Sequence, residues 1–394
     1  MITDCERRVL AAIDAEEIAE LTAALIAAPS ENPGQTEERA VAVLADACVR
    51  AGLAVEQQPV AEGRANLTAS LAGGDRPGLL FLGHSDVVPA GPGWSADPYL
   101  ARRDGDRIIG RGAADMKGGL AAIVAAMSAL HRCGVRPAGE IRLACTVDEE
   151  DLGLGIRALA GGGLGAEFAG CVVAEPTDLD LVTACRGDSY LELRLTGVPA
   201  HSGRPADGRN AIDAATRVLE LIRADQAELA RSMDPLLGSG TWSVGRISGG
   251  RGTSIVAPDC TVWIDRRLMP DEDPQQIADR LAARAAEAGI TSDGIGMSIE
   301  VTMEMPGFRT SAEDPLVRAV LAAAADLGEV PPVAGWTAAC DGGFIARDLG
   351  VPTVVMGPGG LNDQAHQVDE SVSVTELVEA AKRYALLALR VPAD

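Results

Sequence analysis

Aromatic residues are scarce, 3% of a 394-residue chain with four Trp, three Tyr and four Phe. Any core must therefore be aliphatic, and a hydrophobic content of 47% supplies it. The length exceeds that at which single cores stop growing, so two domains are expected. Basic charge is also short: 34 Lys and Arg face 57 Asp and Glu, a net charge of −23 and a pI near 4.6. This excludes a binder of nucleic-acid backbone, which needs clustered Lys and Arg. An anionic membrane surface is disfavoured by the same repulsion, and an anionic small molecule would need a locally positive site. The longest nearly apolar run, Gly118 to Leu130, is too short to cross a bilayer. In the opening MITDCERRVLAAIDAEEIAE, acids interrupt the apolar positions, unlike a secretory signal. Eight cysteines (5, 48, 133, 145, 171, 185, 260 and 340) show neither a CxxC pair nor regular spacing. They suit a reducing cytoplasm better than a disulfide framework.

What is present is a series of short apolar runs that end in acids and histidines. Helical periodicity over residues 8 to 28 stops at APSENPG, and a second helix fits residues 36 to 52. The run Leu79 to Leu82 reads as a buried strand, and its end carries His84 and Asp86, an i, i+2 pair that shares a face in extended chain. Asp115 stands at the mouth of a helix from about Gly118 to Gly134. Further strands are expected at 141 to 147, ending in the turn Asp148-Glu149-Glu150-Asp151, at 171 to 174, ending at Glu175, and at 352 to 356, followed by a glycine-rich loop with His366. Strands alternating with helices predict an α/β fold, a mostly parallel sheet flanked by helices. Ligands bind such sheets outside the carboxyl ends of the strands, where these acids and histidines fall.

Between residues 184 and 304 the pattern changes. YLELRLTG and SIEVTMEM alternate with period 2, and the order strand, helix, two strands, helix, strand is that of a split βαβ, ferredoxin-like α+β unit. The expected organisation is a catalytic domain of residues 1–183 and 305–394 with an inserted lid or dimerisation domain of residues 184–304. GGGLG at 161 to 165 lacks the Lys-Ser/Thr of a phosphate loop and reads as a flexible connection.

Histidine is scarce. Of four, His131 lies in the last turn of a helix, where it suits the dipole. The other three, His84, His201 and His366, sit in loops rich in Gly, Pro and Asp. His84, Asp115, Glu150, Glu175 and His366 form an imidazole-plus-carboxylate set without thiolate, which is a hydrolytic rather than a structural zinc shell. Three carboxylates against two divalent cations leave roughly +1 locally, the positive site an anionic substrate needs. No HExxH or CxxC motif supports this, and by spacing alone the same acids read equally well as helix caps and solvated turns.

Five ordered motifs decide between these readings: GHSDVVPAG, GRGAADMKG, TVDEEDLG, AEPT and GPGGLNDQAHQVDE. Together they resemble the M20 dizinc amidohydrolases over almost the whole chain, inserted domain included, and most closely the acetylornithine deacetylase branch. The resemblance implies two Zn²⁺ per subunit, with Co²⁺ or Mn²⁺ as substitutes. Asp115 would bridge them, before a cis peptide to Met116. His84 and Glu175 would complete one ion, Glu150 and His366 the other. Asp86 would accept a hydrogen bond from the far nitrogen of His84, and Glu149 would be the general base, with Asp148 and Asp151 left as turn and surface residues. His201 would stabilise the oxyanion in the other subunit of a homodimer. Arg267 would hold a substrate carboxylate, and Ser254 stands where many relatives carry an Asn. The expected activity is hydrolysis of the amide of an N-acyl amino acid or similar small carboxylate in the cytoplasm. The rivals are a dipeptidase or carboxypeptidase, and a catalytically silent binding protein on the same fold.

Overall fold

A computed structural model describes residues 1–391, which form two compact units. The first comprises Met1–Thr183, Arg309–Ala334 and the chain from Asp341; the second comprises Ala184–Phe308 with Gly335–Cys340.

The first unit is built on a mixed sheet. Its spatial order begins Ala54–Ala61, Arg64–Leu71, Gly139–Thr146, Arg76–His84, Phe168–Val173, Thr353–Val355 and Leu181–Cys185. The middle four are parallel, with His84 opposite Thr146 and Val173 opposite both Leu82 and Val355. Their carboxyl ends therefore share one edge, and the chain leaves that edge towards His84–Asp86, Asp148–Glu150, Glu175 and, after a loop, His366. Leu79, Leu80, Phe81 and Leu82 are fully buried, as expected for a strand covered on both faces. The helices Gly118–Arg132 and Val374–Arg390 pack against each other, and Tyr384 of the second meets Phe81 with ring centroids 5.2 Å apart. Through the π-turn that precedes it, the first of these runs as a 20-residue apolar segment, Ala113–Arg132. Its most apolar window is 94% buried within the unit, as in a core helix.

One local reading needs correction. The periodic stretch 8 to 28 is two helices, Asp4–Ala11 and Ala15–Ile26, because the Asp14 side chain accepts the amides of Glu16 (2.8 Å) and Glu17 (3.1 Å) and starts a new helix. Residues 54 to 71 form an antiparallel hairpin at the sheet edge; its outer strand is polar and largely exposed, so no buried run marks it. The buried Lys117 ammonium donates to the carbonyls of Leu25 and Ala28, both at 2.9 Å, and so satisfies the end of the helix Ala15–Ile26.

Gly119 brings the core helix against the strand end that carries Glu175: a Cβ there would lie 2.4 Å from the Ala174 carbonyl oxygen. Backbone cannot rotate away as a side chain can. Gly119→Ala should therefore destabilise the protein by about 1–3 kcal/mol. Urea denaturation reads this directly, and an unchanged midpoint would show that the helix can shift freely.

The second unit is a four-stranded antiparallel sheet in the order Thr241–Gly249, Asp259–Leu268, Gly187–Thr196, Gly296–Met305. With the helices Ala211–Leu229 and Pro274–Glu287 it follows the split βαβ order. Leu191, Leu193, Leu195, Val262 and Ile264 pack with Ala214, Val218 and Leu281 in its core, leaving the alternate residues outward.

Candidate metal centre

At the shared edge of the first unit, five side chains converge. His84 Nε2 lies 3.2 Å from Asp115 Oδ1 and 3.4 Å from Glu175 Oε1. His366 Nε2 lies 3.3 Å from Asp115 Oδ2 and 3.2 Å from Glu150 Oε2. The two oxygens of Asp115 thus face different imidazoles, dividing the cluster into His84/Asp115/Glu175 and Asp115/Glu150/His366. The peptide after Asp115 is cis. His366 is half-exposed and holds a left-handed backbone, φ 64°, a conformation uncommon outside glycine.

The electrostatics are those of acids crowded out of water. Burial alone would raise Asp115, but hydrogen bonds with His366 and His84 hold it well below the usual carboxylate range. Burial and the charge of Asp115 push Glu175 up to about 8 despite His84. Burial and Asp115 likewise raise Glu150 against the pull of His366. Hydrogen bonds to Asp115 and Glu150 lift His366 to about 10. Burial opposes a charge on His84, but Glu175, Asp115 and Asp86 raise it well above the ordinary value.

The donor set fits divalent cations. A tetrahedral ion with N and O ligands at about 2.0–2.1 Å needs ligand atoms about 3.3 Å apart, and the imidazole–carboxylate separations are 3.2–3.4 Å. Glu150 Oε1 is buried without any hydrogen-bond partner, an arrangement that costs free energy unless something else binds it.

Asp86 does more than expected. The nearest acceptor to His84 Nδ1 is the main-chain oxygen of Asp86 at 3.0 Å; the carboxylate stands at 3.5 Å. That carboxylate also accepts the amides of Glu149 (3.2 Å) and Glu150 (3.0 Å). It therefore fixes the backbone of both adjacent acids, while the Asp86 carbonyl sets the ring of His84.

Behind Asp86 lies a network absent from the sequence reading. Asn32 Nδ2 donates to Asp86 Oδ2 and Asp148 Oδ1, both at 2.9 Å, and Arg64 pairs with Asp148 and donates to Asn32 Oδ1 at 3.0 Å. Glu37, raised to about 7 by burial and by Asp86, faces Arg64 at 3.5 Å. Asp148 is consequently not a surface residue. It is 2% exposed with φ 66°, and its other oxygen accepts the Leu154 amide at 3.2 Å. Asp151 is exposed, as expected of a turn.

Glu149 is partly accessible beside this cluster. Burial, reinforced by the charges of Glu175, Asp341 and Glu150 and offset by His84, pushes its carboxyl well above the ordinary range. Asp341, another unforeseen acid, is buried, accepts the Thr146 hydroxyl at 2.6 Å and is raised to about 7 by burial.

The remaining candidates belong to the second unit. His201 is exposed, and its Nδ1 accepts the Gly203 amide at 3.0 Å. In the neutral ring this leaves the proton on Nε2. The exposed Ser254 lies on the strip paired with it, through Ser202 N to Ser254 O at 3.0 Å. Arg267 and Arg266 point to opposite faces of their strand. Arg266 is buried against Glu272 at 2.6 Å, whereas Arg267 is partly exposed and bound to Asp265 at 3.0 Å and Asp188 at 3.2 Å.

Residues 80–390 match the family model for peptidase family M20/M25/M40. The chain is 30% identical over 368 residues to an acetylornithine deacetylase of Edwardsiella ictaluri, covering 90% of this chain and 92% of that protein. It is 32% identical over 317 residues to a succinyl-diaminopimelate desuccinylase of Methylibium petroleiphilum, covering 76% and 78%. Among solved structures, a dinuclear metal-binding peptidase of the M20 family from Bacillus subtilis superposes with a TM-score of 0.72 at 16% identity, over 95% of this chain and 97% of that one. At that identity the likeness speaks for the fold.

Proposed function

Because the chain belongs to peptidase family M20/M25/M40, we propose that it is a metal-dependent deacylase that hydrolyses the amide of an N-acyl amino acid or a related small carboxylate. The observation that carries this reading is Asp115, whose two oxygens serve two separate imidazole–carboxylate groups. His84, Asp115 and Glu175 would hold one cation, and Asp115, Glu150 and His366 the other. Nitrogen and carboxylate donors without thiolate favour zinc, with cobalt or manganese as substitutes. When bound, such a pair supplies Lewis-acid polarisation of the scissile carbonyl and lowers the pKa of the attacking water.

The chain's own residues do the rest. Glu149 takes the proton from the attacking water and hands it to the leaving nitrogen. Asp86, by holding the amides of residues 149 and 150, keeps one acid for the cation and its neighbour for the proton. His201, its Nδ1 occupied by the Gly203 amide, presents Nε2–H as a donor to the tetrahedral oxyanion. It acts from the second unit of the other subunit in a homodimer, that unit serving as lid and dimerisation domain. Arg267 takes the substrate carboxylate by exchanging Asp265 or Asp188 for it, beside Ser254. Eight free cysteines are compatible with a cytoplasmic setting.

The test is a panel of N-acetyl, N-succinyl and N-formyl amino acids beside dipeptides, assayed with added zinc or cobalt. Turnover of an N-acyl amino acid is expected; turnover of dipeptides alone would replace the deacylase reading with a dipeptidase. Asp86→Ala should weaken metal binding by about 10–100-fold, because the turn carrying Glu149 and Glu150 loses its shared acceptor. Calorimetric titration of the metal-free protein measures this, and wild-type affinity would remove Asp86 from the scheme.

A further inference from the structure

Glu370 is 1% exposed and lies between the loop that carries His366 and the short strand Ser371–Ser373. Its Oε1 accepts the amides of Ala114 (2.8 Å) and Asp115 (2.9 Å). Its Oε2 accepts the amide of Gly112 (2.9 Å) and the guanidinium Nη1 of Arg111 (2.7 Å). Its own carbonyl accepts the Gly110 amide at 2.9 Å, continuing the pairing of Ser371 with Ile109. One residue thus fastens the backbone from Gly110 to Asp115 to the segment that follows His366.

Resting on the metal-dependent reading above, we infer that Glu370 is a positioning residue that sets Asp115 relative to His366, so that the two halves of the cation site assemble together. Asp115 has to reach two imidazoles at once, 3.2 and 3.3 Å away, and a displaced main chain cannot serve both. A carboxylate is the side chain suited to this task, because it accepts from several donors at once and carries no proton to oppose them. The competing role is charge balance for Arg111, which is 2% exposed and stacked 5.1 Å over the Trp94 ring. The two roles separate by substitution. Glu370→Asp keeps the charge facing Arg111 but shortens the reach to the amides. Glu370→Gln with Arg111→Met removes both charges, leaving neither one buried alone.

The experiment uses the full chain, stripped with a chelator and titrated with cobalt(II), reading affinity by calorimetry, the visible cobalt spectrum, and kcat and KM after reloading. Folding is followed by circular dichroism. Positioning predicts that Glu370→Gln, Glu370→Asp and the double variant all lose about 10–100-fold in cobalt affinity, as for partners that orient metal ligands. Their cobalt spectra change, and kcat falls while KM stays near wild type. Should Glu370→Gln fail to fold, Glu370→Asp and the double variant carry the test. Wild-type affinity and spectrum in Glu370→Asp, or their recovery in the double variant, would overturn positioning in favour of charge balance. A wild-type protein that binds no cobalt would bring down the functional reading itself, and this inference with it. A loaded, active wild type with unaffected variants would overturn the Glu370 inference alone.

Discussion

Glu149→Gln is expected to lower kcat by about two to four orders of magnitude, the range general acid–base catalysis contributes, while metal content stays at the wild-type level. The substitution is nearly isosteric, and the amide that Asp86 holds at residue 149 belongs to the main chain, so the turn keeps its shape. What is lost is the capacity to take a proton from water and return it to the leaving nitrogen. Thermal stability should not fall. Burial and the like charges of Glu175, Asp341 and Glu150, only partly offset by His84, disfavour a charge at this position, and a neutral side chain escapes that cost. Assay of the variant with its metal content and melting temperature measured together gives the answer; a wild-type rate would refute Glu149 as the base. Mixing this variant with His201→Ala adds a test of the dimer. If His201 acts on the neighbouring subunit, two nearly inactive proteins recover activity on subunit exchange, because one of the mixed sites has both groups.

The parts of the site that could be read from sequence are those fixed by a strand end. Leu79 to Leu82 announces a buried strand, and the residues just beyond it, His84 and Asp86, must then lie at the sheet edge. The same holds for Glu150 and Glu175. In the second unit, Arg266 and Arg267 are successive residues of the strand Asp259–Leu268, where alternation puts them on opposite faces, and they take opposite environments. What escaped is whatever depends on a partner distant in the chain. Asp148 sits in an acidic turn that reads as solvated. Asn32 and Arg64, far away in sequence, supply most of the donors that make it a buried acceptor. Glu370 ends a motif read for its histidine, and nothing in VDE tells that its carboxylate will meet the amides of residues 112, 114 and 115. The family resemblance implies a hydrogen bond from His84 to the Asp86 carboxylate, which stands 3.5 Å from Nδ1. That the same carboxylate also takes amide donors from the neighbouring turn is not legible in the motif.

Asp115→Ala should have the largest effect of any single substitution: loss of both cations together and with them all turnover. Without Asp115 each half of the site keeps one imidazole and one carboxylate, His84 with Glu175 and Glu150 with His366. Two protein donors fall short of the three that catalytic zinc sites ordinarily provide. Cobalt affinity should therefore drop for both ions by more than the about 10–100-fold seen when only an orienting partner is removed. His366→Ala, by contrast, removes a donor from one half and should leave a single tight ion beside Glu175 and His84. The difference also appears in stability. A ligand that binds only the folded protein stabilises it by about 2.7 kcal/mol when present at a hundredfold excess over its dissociation constant. Added cobalt should accordingly raise the melting temperature of the stripped wild type, raise that of His366→Ala less, and leave that of Asp115→Ala nearly unmoved. One undiminished tight site in Asp115→Ala would mean that this carboxylate serves a single ion, and the shared-ligand reading of the centre would have to be given up.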